Sequence, residues 1–101
     1  MTKRVFISVP MAGKHEEDIY EEFLNAVKQY RSEHPGEDVE FVDNYYVFDA
    51  DKLCIKHPPL LYLGEAIKKM ATCDDVIFYG DWENARGCKV EKLVYDLYFK
   101  E

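Results

Sequence analysis

Glu91, a glutamate that follows a glycine-bearing turn, is the strongest candidate for a reactive residue in this sequence. Residues 76–79 form a short apolar run, residues 81–87 form a polar turn, and a helical pattern then continues to Tyr98. Glu91 falls in the first turns of that helix, where free backbone N–H groups and the helix dipole favour an ionised carboxylate. An ionised carboxylate beside a pocket can act as a nucleophile. The alternative is that Glu91 only complements the helix dipole.

The turn after the first apolar run holds a second group of candidate residues. Ser8 offers a hydroxyl, Gly13 lets backbone approach a ligand closely, and Lys14 stands just ahead of a predicted helix. Together they suggest a cradle for an anion at a helix N-terminus. The alternative is an ordinary strand-to-helix turn, because the segment contains one glycine and is not a Walker loop.

Residues around the last turn add further candidates. Arg86 has the reach and charge to hold a phosphate or carboxylate, or it is a solvated surface side chain. Trp82 is the only tryptophan, and its place in a polar turn suggests a ligand stack, a lid over the core or a subunit contact. Asp81 and Asp75 are candidates for an auxiliary acid. Asp75 and its neighbour Asp74 also suit the end of the preceding helix.

The hydrophobic pattern alternates between strands and helices along the whole chain. The predicted strands are residues 5–9, 39–42 and 76–79. The predicted helices span about residues 15–34, 60–71 and 85–98. This alternation predicts a parallel sheet whose outgoing loops gather at one edge. Those loops are residues 10–14, 43–51 and 80–87, so Asn44 and Tyr45 are expected to reach the cleft.

Length, charge and cysteine usage limit the classes of function. A chain of 101 residues suits one domain, and its net charge of −7 argues against duplex nucleic acid and anionic membranes as partners, because both need a basic face. Cys54, Cys73 and Cys88 form no C-x-x-C pair, which favours reduced thiols and a cytoplasmic location over a disulfide or zinc site. No residue cluster implies a metal or cofactor. The first apolar run is too short for a signal peptide or a membrane span.

Three segments of the chain resemble the nucleoside 2-deoxyribosyltransferase-like proteins, in particular a branch of small bacterial and phage proteins. The segments are FISVPMAGK at 6–14, PLLYLG at 59–64, and DVI at 75–77 followed by DWENARGCKVE at 81–91. The resemblance to the characterised transferases rests on Gly87 four residues ahead of Glu91, on the strand-loop-helix frame and on residues 44–47. It implies one α/β domain over residues 1–101, with a three-layer flavodoxin- or Rossmann-like fold in which helices flank a small parallel sheet.

The resemblance also implies roles for individual residues. Glu91 corresponds to the family's nucleophile, which attacks the anomeric carbon of a nucleoside or nucleotide and displaces the base. The sugar then passes from the glycosyl-enzyme ester to another base or to water, as in retaining glycosidases. The first loop is expected to hold the sugar or its 5′-phosphate, with Tyr45 and Trp82 beside the base. The expected ligand contacts are Ser8, Pro10, Met11, Gly13, Asn44, Tyr45, Trp82, Asn84, Arg86 and Gly87.

Two proton-handling groups of the characterised enzymes are absent or moved in this sequence. The aspartate expected eight residues before Asp75 is Ile67, with Glu65 the nearest carboxylate, and the one expected six residues before Glu91 is Ala85. General acid catalysis contributes about 10²–10⁴-fold, so this loss suits a slow enzyme or a protein that only binds.

The residues therefore support three functions of different classes. The first is an N-glycosidic-bond enzyme, either a deoxyribosyltransferase or a nucleoside or nucleotide N-glycoside hydrolase. The second is a non-catalytic binder or sponge of a nucleotide-derived small molecule, and the third is an assembly module without a ligand. Because family members complete their sites across subunits, a homodimer or higher homo-oligomer is expected. The aromatic side chains expected to be exposed and covered by a partner subunit are Tyr95, Tyr98 and Phe99.

Overall fold

The computed structural model of the protein describes residues 2–11, 14–43 and 56–99. Strands and helices alternate through these ranges. The strands are β1 (Lys3–Ser8), β2 (Val39–Asp43) and β3 (Asp75–Phe78). The helices are α1 (Glu16–Glu33), α2 (Pro58–Met70) and α3 (Arg86–Tyr98), and a short 3₁₀ helix (Trp82–Asn84) precedes α3.

β1 is the central strand of a parallel sheet whose order in the described chain is β2-β1-β3. The register pairs Val5 with Phe41 on one side and with Asp75 on the other, and it pairs Ser8 with Phe78. Parallel neighbours need a crossover connection, and α1 lies between β1 and β2 in the chain while α2 lies between β2 and β3. The α/β class and the parallel sheet predicted from the sequence are confirmed.

Alternate side chains of β1 pack into separate clusters on the two faces of the sheet. Ile7 packs with Ala26 of α1. Phe6 belongs to a cluster with residues of α2, and Val94 of α3 packs against that cluster. Because the side chains of a strand alternate in direction, Ser8 lies on the same face as Phe6. Ser8 is therefore directed to the face of the sheet that α3 covers.

Asp74 fastens the beginning of β3 to β1. The backbone N–H of Arg4 donates to Oδ2 of Asp74 at 2.8 Å, and the backbone N–H of Asp74 donates to the carbonyl of Arg4 at 2.7 Å. The Asp74 carboxylate thus satisfies a backbone N–H of β1. The prediction that Asp74 and Asp75 end the preceding helix is therefore wrong. α2 ends at Met70, and Asp75 is the first residue of β3.

The start of α2 also differs from the prediction. The sequence places a break at Pro58 and Pro59, with the helix beginning near Leu60, but the helix begins at Pro58 itself. The first turn of a helix has free N–H groups in any case, so proline costs little there, and its fixed φ suits the helix.

The end of α3 packs on the protein's own core more closely than predicted. Tyr95 and Phe99 are half-buried against the Phe6 cluster, so the expectation that they are exposed is wrong for these two rings. Tyr98 is 70% exposed, as expected. None of the helices in the described ranges is long and apolar enough to cross a membrane.

Candidate functional site

The centre of the candidate site is a buried hydrogen bond between the last residue of β1 and the second turn of α3. The hydroxyl of Ser8 donates to Oε2 of Glu91 at 2.8 Å. Ser8 is 0% exposed and Glu91 is 2% exposed. Cys88, Glu91 and Tyr95 repeat at helical spacing and so share the face of α3 that meets the sheet. Strand and helix periodicity together thus bring the Ser8 hydroxyl to the Glu91 carboxylate.

Cys88 completes the buried cluster. Its Sγ lies 3.2 Å from Oγ of Ser8. A hydroxyl has one hydrogen, and the carboxylate of Glu91 is the stronger acceptor, so the Ser8 oxygen is left to accept the hydrogen of the thiol. Burial raises the pKa of the Cys88 thiol to about 11. Cys88 is therefore a neutral thiol near pH 7 and not a nucleophile.

A second carboxylate approaches the cluster from the other side of the sheet. Glu22 of α1 forms an ion pair with Lys14 through its Oε1. In addition to burial, the negative charges of Glu91 and Glu22 raise the pKa of the Cys88 thiol, and the positive charge of Lys14 lowers it. The lysine expected to cradle an anion thus already has a carboxylate partner in this structure.

Asp75 and Trp82 line a separate cavity of about 380 Å³, which lies alongside β3. Oδ1 of Asp75 accepts hydrogen bonds from the backbone N–H of Val76 at 2.8 Å and from the hydroxyl of Tyr95 at 3.2 Å. Asp75 lies three residues before Phe78, the register partner of Ser8, which is roughly 10 Å along a strand. The structure thus separates Asp75 from the level of Ser8. Trp82 packs on the Phe78 ring, with 5.3 Å between centroids.

Asp81 and Asn84 are brought together in the turn before α3. Nδ2 of Asn84 donates to Oδ1 of Asp81 at 2.7 Å, and both side chains are exposed. Arg86 and Gly87 follow as the first two residues of α3 and are exposed as well. These four residues lie beyond the carboxyl end of β3, the edge to which Ser8 also belongs.

Two further predicted contacts lie just past β1. Pro10 is buried, and Met11 is half-buried with its carbonyl accepting the N–H of Lys14 at 3.2 Å. Three other predicted contacts fall outside the described residues, namely Gly13, Asn44 and Tyr45.

A second cavity of about 350 Å³ lies at the carboxyl end of β2, between Asp43 and the first turns of α1. Both cavities fall within the usual range for small-molecule sites, about 300–1,000 Å³. Neither cavity is lined by Ser8 or Glu91. A ligand that reaches Glu91 must therefore displace groups that now cover the carboxylate.

Three residues of this arrangement were not predicted from the sequence. Cys88 had a usable signal, because it precedes Glu91 by three positions on a predicted helix. Gly80, which has a positive φ of 75° and lies close to the Glu22 carboxylate, directly follows the predicted third strand, where a positive φ is common in a turn. Glu22 had no signal, because a glutamate on an amphipathic helix normally faces solvent.

Within the described ranges, no group of three or more His, Cys, Asp or Glu side chains is placed to hold a metal ion. Comparison of the chain with protein-family models, with curated proteins and with solved structures gave no match. A function for this chain therefore has to be inferred from its residues and their geometry.

Proposed function

We propose that the protein is an N-glycosidic-bond enzyme that acts on a nucleoside or nucleotide, as a deoxyribosyltransferase or an N-glycoside hydrolase. The single observation that carries this proposal is the carboxylate of Glu91, held by the Ser8 hydroxyl at 2.8 Å beside the carboxyl end of the central strand. Ligands of open α/β sheets bind outside the carboxyl ends of the strands. A fixed, buried carboxylate at that edge suits a nucleophile shielded from water.

The proposed reaction has two steps. Glu91 attacks the anomeric carbon, and the bond from that carbon to the base breaks, with its electron pair leaving on the base nitrogen. Asp81, which lies beyond the end of β3, is the proposed auxiliary acid and protonates the departing base. An acceptor base or water then attacks the same carbon, its proton passes to Asp81, and the carboxylate of Glu91 is released.

The proposed frame for this site is a three-layer flavodoxin- or Rossmann-like unit. Support comes from the side chains of β1, which pack on α1 at one face of the sheet and on the cluster beneath α2 and α3 at the other. Arg86, exposed at the start of α3, is the proposed contact for a 5′-phosphate, because guanidinium groups bind phosphate oxygens in pairs.

The experiment incubates the protein with nucleosides and their 5′-monophosphates and measures released base by chromatography. Glu91→Gln should lower the rate by at least about 10³-fold, because the nucleophile is lost. Glu83→Gln, an exposed carboxylate of the preceding turn, is the matched control and should keep the rate. Mass spectrometry of a quenched reaction should find the sugar on Glu91. Base release that survives Glu91→Gln would overturn the assignment.

The second candidate is a protein that binds a nucleotide-derived molecule without cleaving it. The 2% exposure of Glu91 favours this function, because a covered carboxylate can serve as a structural hydrogen-bond acceptor. Stoichiometric binding, with intact ligand recovered after denaturation and no adduct on Glu91, would support this candidate against the enzyme.

A homodimer or higher homo-oligomer is part of the proposal. The outer face of α3 carries an apolar stripe of Val90, Leu93 and Leu97, which are 38%, 57% and 63% exposed. A stripe at this spacing on one helix suits contact with the same helix of a second copy. Light scattering should give at least twice the chain mass, and Leu93→Lys should lower it to the monomer. A monomeric wild-type protein would contradict the expectation.

A further inference from the structure

One carboxylate oxygen in the described part of the chain is buried without a hydrogen-bond partner. It is Oε2 of Glu22, whose other oxygen pairs with Lys14. A buried carboxylate oxygen that makes no hydrogen bond loses its hydration without replacement, which is costly. Such an oxygen is a suitable acceptor for a hydrogen-bond donor of a bound ligand.

The unpaired oxygen lies at the ends of β1 and β3. A Cβ placed on Gly80, two residues after β3, would come within 3.1 Å of Oε2 of Glu22 and 3.6 Å of Cδ of Pro10, two residues after β1. Gly80 also has a positive φ of 75°. Glycine therefore lets the Glu22 carboxylate lie close over the end of β3.

This position is the topological switch point of the sheet. The chain leaves β1 through α1 toward β2 on one side, whereas β3 pairs with β1 on the other side. Open α/β sheets bind their ligands in the crevice at such a point. Glu22 belongs to α1 and Glu91 to α3, the helices that pack on opposite faces of the sheet.

The chemistry of Glu22 selects the donor. Lys14 already neutralises the charge of this carboxylate. A neutral hydrogen-bond donor can therefore satisfy the second oxygen without adding a net positive charge to the pair. A carboxylate oxygen accepts hydrogen bonds, so the group that satisfies Oε2 of Glu22 must be a donor. A sugar hydroxyl is neutral, donates one hydrogen and is part of every nucleoside.

We propose that Oε2 of Glu22 accepts a hydrogen bond from a hydroxyl of the bound nucleoside's sugar, placing that sugar between Glu22 and Glu91 over the ends of β1 and β3. This inference rests on the proposed function, because it takes a nucleoside or nucleotide as the ligand. It makes Glu22 a binding residue that selects for the hydroxyl.

The test measures Kd by calorimetry in two stages. The first stage uses the common ribonucleosides, their 2′-deoxy counterparts and their 5′-monophosphates, and identifies the tightest ligand. The second stage uses the analogues of that ligand that lack one hydroxyl each. One analogue should bind the wild-type protein about 10- to 100-fold more weakly, the usual range for a hydrogen bond to a charged group. With Glu22→Ala, the same analogue and its parent should bind within about 2-fold of each other.

Two further variants keep the result interpretable. Glu21→Ala changes the exposed neighbour on the same helix and should keep the wild-type preference. Glu22→Gln keeps a carbonyl acceptor and the side-chain volume, so it should keep part of the preference even if Glu22→Ala unfolds. An equal loss in wild-type and both Glu22 variants would overturn this inference and leave the proposed function standing. If no nucleoside or nucleotide binds the wild-type protein, the proposed function falls, and this inference falls with it.

Discussion

The Ser8 hydroxyl donates to Oε2 of Glu91 at 2.8 Å across 83 positions of sequence. This bond joins the central strand to the last helix inside a space that water does not reach, since neither side chain is more than 2% exposed. A buried hydrogen bond to a carboxylate contributes about 1.5–3 kcal/mol and fixes the direction of the acceptor. The same hydrogen bond therefore stabilises the fold and orients the proposed nucleophile.

Ser8→Ala should reduce both the stability of the fold and the rate of base release. The variant leaves Oε2 of Glu91 without its Ser8 donor, so the free energy of unfolding should fall by about 1–3 kcal/mol. Base release should fall by about 10-fold or more, because the carboxylate loses its orientation. Urea melts and chromatographic rates measure the two effects. Ser32→Ala, an exposed serine of α1, should change neither, and a Ser8→Ala variant of unchanged stability would contradict the buried bond.

Cys88 should resist alkylation at neutral pH. Its pKa is raised to about 11, chiefly by burial, so little thiolate exists at pH 7–8 and iodoacetamide should modify it only after unfolding. The unfolded thiol loses its proton near pH 8.5–9 and the folded one near 11. Because the unfolded state loses this proton first, the stability that the neutral Cys88 thiol contributes is fully present below about pH 8.5 and is lost as the pH rises through about 11.

The measurement for Cys88 is the urea midpoint between pH 8 and 11. Wild-type protein should lose more stability over this range than Cys88→Ala, which lacks the titrating group. Parallel pH profiles for the two proteins, or rapid alkylation of folded Cys88 at pH 7.5, would refute the assignment of a buried neutral thiol.

Gly80→Ala should destabilise the fold. The residue has φ of 75°, and an added Cβ would lie 3.1 Å from Oε2 of Glu22. The left-handed conformation alone costs an L-residue about 1–2 kcal/mol. Gly64→Ala is the matched control, because this glycine is within α2 and an added Cβ there meets nothing within 4 Å. Its unfolding free energy should rise by about 0.5–1 kcal/mol, and equal effects of the two changes would contradict the close approach of Glu22 to Gly80.

Asp75→Asn should affect stability more than turnover. The Asp75 carboxylate accepts from the Tyr95 hydroxyl at 3.2 Å, and burial followed by the charge of Asp75 raises the pKa of Tyr95. In a thermal melt Tyr95→Phe, which removes the donor, should cost about 1 kcal/mol, and Asp75→Asn, which keeps a carbonyl acceptor but loses the charge, should cost less. Base release should stay within about 3-fold of wild type for both variants, whereas Asp81→Asn should lower it by about 10²-fold or more. A large loss of rate in Asp75→Asn alone would restore the role that the sequence suggested for this residue.

The elements of the fold were readable from local patterns. Apolar spacing predicted the strands and helices to within a few residues, since a strand and a helix repeat at 2 and 3.6 residues whatever surrounds them. The boundary errors were at Pro58, where proline begins α2, and at Asp74, whose carboxylate binds the Arg4 backbone. The sequence pattern contains no information about a partner 70 positions away.

For the candidate site, the sequence by itself determined that Glu91 and the glycine-bearing turn lie at the start of a helix after a strand, because helix periodicity and turn chemistry are local. Only the tertiary structure decided that Ser8 holds Glu91, that Asp75 binds Tyr95, and that Glu22 reaches the ends of β1 and β3. The reason is physical: a hydrogen bond or a close approach depends on how strands pair and how helices pack on their two faces, and those distances are fixed only when the chain is folded.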